Sequence, residues 1–206
     1  MIVVIDYKMG NIGSIINMIK KAGGEAKFSP EIDQIEKAEK LILPGVGAFD
    51  AGMQNLTKLG LVDVLRKKVF EDKVPILGVC LGMQLFMERS EEGVLPGLGF
   101  IKGSVVRFRF DENNSHLRIP HMGWDSVEVK KESPLFSSMY EEPVFYFVHS
   151  YHVVCDDAED VLSTTNYGYK FASSLQRGNI FGTQFHHEKS HKYGLKLIQN
   201  FIKLAS

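Results

Sequence analysis

Val74-Pro75-Ile76-Leu77-Gly78-Val79-Cys80-Leu81-Gly82-Met83-Gln84 carries an apolar strand directly into a helix-forming segment, with a cysteine at the corner. The pattern is Gly-x-Cys-x-Gly. Glycines at 78 and 82 allow strand and helix to approach closely around a tight, strained turn, which lifts a nucleophile above the sheet edge. The amides of the following helix, expected over residues 81–89, favour the thiolate, and the Leu81 N–H is placed to donate toward an oxyanion. A lone cysteine is more often just a small buried apolar side chain. The two flanking glycines decide for the nucleophile.

Outward from this corner the chain alternates strands and helices. Ile2–Ile5 is a β-branched run, residues 9–13 form a Gly-containing turn, and Ile12, Ile15, Ile16 and Ile19 mark one face of a helix that Gly23-Gly24 stops. Extended pieces near Ala26 and over residues 40–43 follow, the second ending at Pro44-Gly45. Helical periodicity occupies residues 53–71, ahead of the strand at 74–79. This order predicts a mostly parallel α/β sheet flanked by helices. Beyond Gly93 shorter strands are expected at 105–110, 126–129, 144–148, 162–165 and 171–176, in an antiparallel or mixed section. A hairpin turn at 176–180, a strand at 181–186 and a closing helix over 190–204 with Ser190 as its N-cap complete the chain. Without a linker, repeat or low-complexity segment, residues 1–206 are expected to form one domain.

Composition narrows the function. A chain of 206 residues, 44% hydrophobic and 24% charged, has the makings of a compact core. With 24 basic against 25 acidic side chains the net charge is −1, so no broad field draws it to nucleic acid or an anionic membrane. Two cysteines, Cys80 and Cys155, make no disulfide framework, which fits a reducing cytoplasm. The N-terminus lacks a basic lead-in and reaches Asp6 too soon for a signal peptide. The apolar region at 74–87 is too short and too interrupted to span a bilayer.

A thiol needs a base, and Phe181-Gly182-Thr183-Gln184-Phe185-His186-His187-Glu188 offers one. In extended backbone, residues two apart share a face, so Glu188 can hold the His186 imidazole while its other nitrogen meets the thiol. An isolated His-x-Glu is more often a solvated turn; its pairing with the cysteine corner carries the prediction. His187 and His191 stand four apart, but no further ligand completes a metal site, and none is predicted. The turn at 10–14 lacks the spacing of a phosphate-binding loop. Pro44-Gly45-Val46-Gly47-Ala48-Phe49 exposes backbone amides beside the thiol and is a second source of oxyanion donors.

With these pieces assembled, the chain resembles the class I (triad) glutamine amidotransferases, and among them the glutaminase subunits of imidazole glycerol phosphate synthase. The resemblance runs nearly end to end. It is carried by Asp6-Tyr7-Lys8-Met9-Gly10-Asn11, residues 44–49, residues 78–84, Pro120-His121-Met122-Gly123-Trp124, Tyr146-Phe147-Val148-His149-Ser150-Tyr151, and Gln184-Phe185-His186 with Glu188-Lys189-Ser190. It implies a flavodoxin-like fold and a Cys80-His186-Glu188 triad that hydrolyses glutamine without a cofactor. Gly45, Val46, Gly47 and Leu81 would surround the oxyanion, and Gln84, His149, Ser150 and Tyr151 would cradle glutamine. It further implies a heterodimer with a (βα)8-barrel cyclase, to which ammonia passes, with Asn11, Met122, Trp124, Tyr146 and Lys189 on or near the docking face. From the residues alone, Trp124 suits an interface anchor and a core position equally, and 146–151 also reads as an aromatic-rich strand.

Two positions depart from the family pattern: His187 replaces the usual proline, and Asp125 the usual asparagine. Losing proline frees φ and restores an N–H beside the triad, and Asp125 adds a charge near the expected docking face. Three alternatives stay open: a paralogue feeding ammonia to another synthase, such as one amidating bacterial surface sugars; an idle regulatory subunit; and a stand-alone cysteine hydrolase.

Overall fold

The computed structural model describes residues 1–205. Its strands, in chain order, are β1 (Ile2–Ile5), β2 (Ala26–Ser29), β3 (Lys40–Gly45), β4 (Ile76–Cys80), β5 (Arg89–Ser90), β6 (Gly103–Arg107), β7 (His121–Ser126), β8 (Glu128–Val129), β9 (Val144–His149), β10 (Tyr151–Cys155), β11 (Val161–Tyr167), β12 (Tyr169–Arg177) and β13 (Ile180–Thr183). The helices are α1 (Ile12–Lys21), α2 (Ile32–Glu36), α3 (Phe49–Lys58), α4 (Leu61–Phe70), α5 (Leu81–Gln84) and α6 (His191–Lys203).

β2-β1-β3-β4-β13 form the parallel half of the main sheet, and β12, β10 and β6 continue it in antiparallel pairing. The parallel half has the strand order of flavodoxin-like folds, in which functional groups gather beyond the carboxyl ends of the strands. β1, β3 and β4 are buried throughout, as strands covered by helices on both faces must be. β7 and β9 pair separately as an antiparallel ribbon, with His121 opposite His149 and Trp124 opposite Tyr146. Two apolar clusters fill the spaces around the sheet, one with Leu43, Phe49, Leu81 and Phe86, the other with Ile15, Phe147, Phe185 and Phe201.

Several expected boundaries move. The periodic stretch at 53–71 is two helices, because Gly60 adopts φ 68° and turns the chain between α3 and α4. β3 continues through Pro44 to Gly45, which lies in register with Cys80. α2 is too short to show a clear period. The expected helix over 81–89 is a single turn, α5, so local amides rather than a long helix dipole face the nucleophile. The expected strand at 126–129 is divided between β7 and β8. β13 ends at Thr183, and His186 meets Tyr146 only in an isolated bridge. The hairpin between β12 and β13 forms as expected, with Gly178 at φ 56° in its turn. Among the described residues, no helix is long and apolar enough to cross a membrane.

The β4–α5 corner depends on close approach. A Cβ on Gly82 would stand 1.8 Å from the Leu43 carbonyl oxygen, and one on Gly78 would stand 2.6 Å from the Phe86 ring. Gly82→Ala must push β3 and α5 apart, and it is expected to cost about 3 kcal/mol or more of stability. A urea titration of the purified variant measures this; a midpoint equal to the wild type would show that the corner yields.

Candidate active site

Cys80 ends β4 with φ 54° and ψ −110°, a left-handed backbone that a non-glycine residue adopts at a cost of about 1–3 kcal/mol. Its side chain is buried but lines a cavity of about 410 Å³ with Val46, Gly47, Leu81, Gln84, Glu92, Pro120, Val148, His149, Ser150, Tyr151 and His186. The sequence-predicted nucleophile, base, oxyanion segment and cradle thus share one cleft, although Gly45 stands just behind it at the end of β3. A larger concavity, about 910 Å³, is lined by residues between Val127 and Pro143 and holds neither cysteine nor histidine.

His186 Nδ1 lies 2.8 Å from Glu188 Oε1. Glu188 does not share a strand face with His186 as the spacing suggests: it sits in a 3-10 turn, His187–Lys189, which folds its carboxylate back onto the imidazole. His186 Nε2 is buried and makes no hydrogen bond of ordinary geometry, and the Cys80 sulfur stands near enough to act on the imidazole. Burial by itself would lower the pKa of this imidazole, but the sulfur of Cys80 and the carboxylate of Glu188 outweigh it and raise it to about 10. Glu188 is also buried, which resists ionisation, yet the imidazole beside it brings its pKa below the usual range.

The turn that carries the base is fixed by neighbours with no obvious mark in the sequence. Ser190 Oγ donates to the His186 carbonyl and accepts the Tyr146 N–H at 3.0 Å, so it clamps β9 to the base rather than capping α6. His187 is buried and lies 2.9 Å from Thr183 Oγ1. Burial lowers its pKa to about 4, so it is a neutral core imidazole that ties the turn to β13 in place of the constraint a proline ring would impose. His191 instead stacks on Trp124, with centroids 5.2 Å apart, and so the two histidines do not converge. No cluster able to hold a metal occurs among the described residues.

Gln84, one turn beyond the nucleophile, donates to the Tyr151 carbonyl at 3.0 Å and to Gln184 Oε1 at 3.1 Å. Gln184 in turn directs Nε2 to Cys80 Sγ at 3.6 Å. Gln184, Glu92 and Tyr7 were not singled out as site residues. Glu92 lines the cleft and accepts the Phe49 N–H at 2.9 Å, but it stands in an acidic surface run that gave no signal. The Tyr7 hydroxyl is buried, unpartnered and packed against Gly45, where a Cβ would meet it at 2.4 Å. Burial, and then the charge of Cys80, pushes its ionisation up. Gly47 has φ 112°, a conformation only glycine adopts freely, which suits a segment that must turn its amides toward the cleft.

Of the residues expected on a docking face, Met122 and Trp124 are exposed on the outer side of β7. Trp124 meets Tyr146 edge to face at 6.0 Å, and Lys189 Nζ lies 5.2 Å over the Tyr146 ring. Asn11 is exposed and caps α1 by accepting the Ser14 N–H at 3.2 Å. α1 packs beside the turn that bears Lys189. Trp124 is therefore a surface ring, not a core one. Asp125 does not join this surface: it projects from the opposite side of β7, toward His121.

Residues 3–204 match the family described as glutamine amidotransferase class-I. The chain is 52% identical to imidazole glycerol phosphate synthase subunit HisH 2 of Methanococcus maripaludis over 205 residues, covering 100% of both chains. It is 54% identical to subunit HisH 2 of Pseudomonas aeruginosa, again over 100% of both, and 50% identical to subunit HisH 1 of Campylobacter jejuni over 99% of this chain and 100% of that one. A crystal structure of a glutamine amidotransferase shares the fold with a TM-score of 0.66 at 22% identity, covering 95% of this chain and 98% of that one. The PurLQS structure from Thermotoga maritima does so with a TM-score of 0.72 at 17% identity, covering 97% and 96%. With its nucleophile corner in place and the family match spanning nearly its whole length, the chain belongs to the class-I glutamine amidotransferases.

Proposed function

We propose that this chain is the glutaminase subunit of an imidazole glycerol phosphate synthase, acting in histidine biosynthesis in the cytoplasm. The observation that carries the assignment is a cysteine at φ 54° facing a buried His–Glu pair, in a chain at least half identical, end to end, to subunits of that name.

The thiolate of Cys80 attacks the side-chain amide carbon of glutamine, and the oxyanion that forms is held by the Leu81 and Gly47 amides. The C–N bond breaks as His186, held by Glu188, passes its proton to the leaving nitrogen, so that ammonia departs and a glutamyl thioester remains. His186 then takes a proton from water, which attacks the thioester and releases glutamate. Gln84, His149, Ser150 and Tyr151 position the substrate. Ammonia freed into bulk water would be protonated and lost, so the cleft works under a partner, a (βα)8-barrel cyclase docked over Met122, Trp124, Tyr146, Lys189 and Asn11. The exposed aromatic cluster supports this, since tryptophan and tyrosine anchor interfaces well.

A second reading keeps the same chemistry and changes the synthase. The three relatives described above carry numbers in their names, which distinguish one subunit from another. A paralogue serving a different acceptor would have the same triad.

Glutamate release by the chain mixed with the cyclase barrel of the same genome is expected to rise strongly when the ribulosyl phosphate substrate is added. No rise, with the barrel active on free ammonia, would favour another synthase. Cys80→Ala is expected to abolish glutamine-dependent synthesis by the complex and to leave ammonia-dependent synthesis intact. Loss of both would contradict the division of labour between the subunits.

A further inference from the structure

A continuous run of polar atoms at hydrogen-bonding distance leads from Asp125, behind the outer face of β7, to Cys80. Asp125 Oδ2 lies 2.7 Å from His121 Nε2, His121 Nδ1 lies 3.1 Å from His149 Nε2, and His149 Nδ1 lies 2.7 Å from the Tyr151 carbonyl. That carbonyl also accepts from Gln84, which meets Gln184, which meets Cys80 Sγ. Both imidazoles are buried, whereas the Asp125 side chain is 38% exposed.

The first three links need three hydrogens between them. The carboxylate at one end and the carbonyl at the other are acceptors only, so all three hydrogens must come from the two imidazoles. Two neutral imidazoles carry two. With an ionised Asp125 one link is always short of a hydrogen, and a third proton completes the chain. An asparagine at 125 would need no such proton, because its amide donates to His121 Nε2 and two neutral imidazoles supply the rest.

We propose that Asp125 is a positioning residue for the glutaminase reaction: a proton taken up between its carboxylate and His121 completes the chain and fixes the Tyr151 main chain that cradles glutamine. This rests on the function proposed above. The two proton counts are two discrete arrangements of one buried element, as coupling between distant groups requires. Burial lowers the pKa of both imidazoles, His149 the further, and only His121 has a carboxylate that opposes it. The third proton therefore resides on His121 and binds below the ordinary imidazole range. The other titratable groups around the pair are His152 on β10 with Glu91 near it, His186, and the phenols of Tyr167 and Tyr169. Glutamine binding should tighten as pH falls through this transition.

The test compares the intact Cys80→Ala chain, which binds glutamine without turning it over, with the same chain carrying Asp125→Asn. Imidazole nitrogen spectra and glutamine affinity by calorimetry are recorded from about pH 5 to about pH 8. We expect one imidazole of the parent pair to gain a second N–H at low pH, with glutamine Kd falling about fivefold across the same transition, the worth of one hydrogen bond. Asp125→Asn should abolish both, with a Kd that stays flat at the tighter value. An identical titration in Asp125→Asn, a pair that never gains the proton, or a proton gained without change in Kd would each overturn the proposal. Failure of glutamine to bind at any pH would instead overturn the glutaminase assignment, and this inference with it.

Discussion

The site depends on one close approach, the contact between the backbone of α5 and the carbonyl of Leu43. Because Gly82 has no side chain, α5 can lie against β3, and the chain must turn within Cys80 itself. The result is a candidate nucleophile, Cys80, in a left-handed conformation, at the carboxyl ends of the central strands, beside Gly45 in register on β3. The strain, of order 1–3 kcal/mol, is sustained by the buried strands on either side. Relaxing it would swing the sulfur away from the oxyanion donors and from His186 together.

Around that corner the chemistry is electrostatic. A histidine taken out of water would ordinarily stay neutral, but here it stands between a sulfur and a carboxylate, and both favour its charged form. Such a group is useful only if it cannot drift, and the structure holds it from three sides: Glu188 at its Nδ1, Ser190 at its carbonyl, and Thr183 through His187. Where the family pattern has a proline, a buried, neutral histidine makes a local hydrogen bond back to the end of β13. His187 thus restrains the turn that bears His186.

The parallel half of the sheet and the strained corner at Cys80 were legible because their signals are local: continuous apolar strands, glycines at 78 and 82, and the turn chemistry between them. The His186–Glu188 pair was legible by residue but not by local structure, since sequence spacing suggested a strand where a 3-10 turn brings Glu188 to His186. Gln184 and Ser190 lay inside quoted motifs, yet their roles emerge only from contacts over 104 and 44 residues of sequence separation. Tyr7 gave no warning because a buried unpartnered hydroxyl is a property of packing. The second half was blurred for a similar reason: strands β7, β8 and β11 are defined by partners distant in sequence, and their boundaries follow the pairing rather than the propensity. A charge at 125 suggests the docking surface from sequence alone, and the pleat of β7 turns Asp125 to the side of His121 instead.

Covalent trapping by an electrophilic glutamine analogue, with the modified residue located by mass spectrometry, tests whether Cys80 is the nucleophile. One label per chain is expected, on Cys80, suppressed by excess glutamine, with Cys155 untouched even after long exposure. Burial and nearby carboxylates push the Cys155 thiol up to about 12, which disfavours its thiolate. Labelling of both cysteines at similar rates, or labelling of Cys80 that glutamine does not protect, would contradict a glutaminase built on the β4–α5 corner.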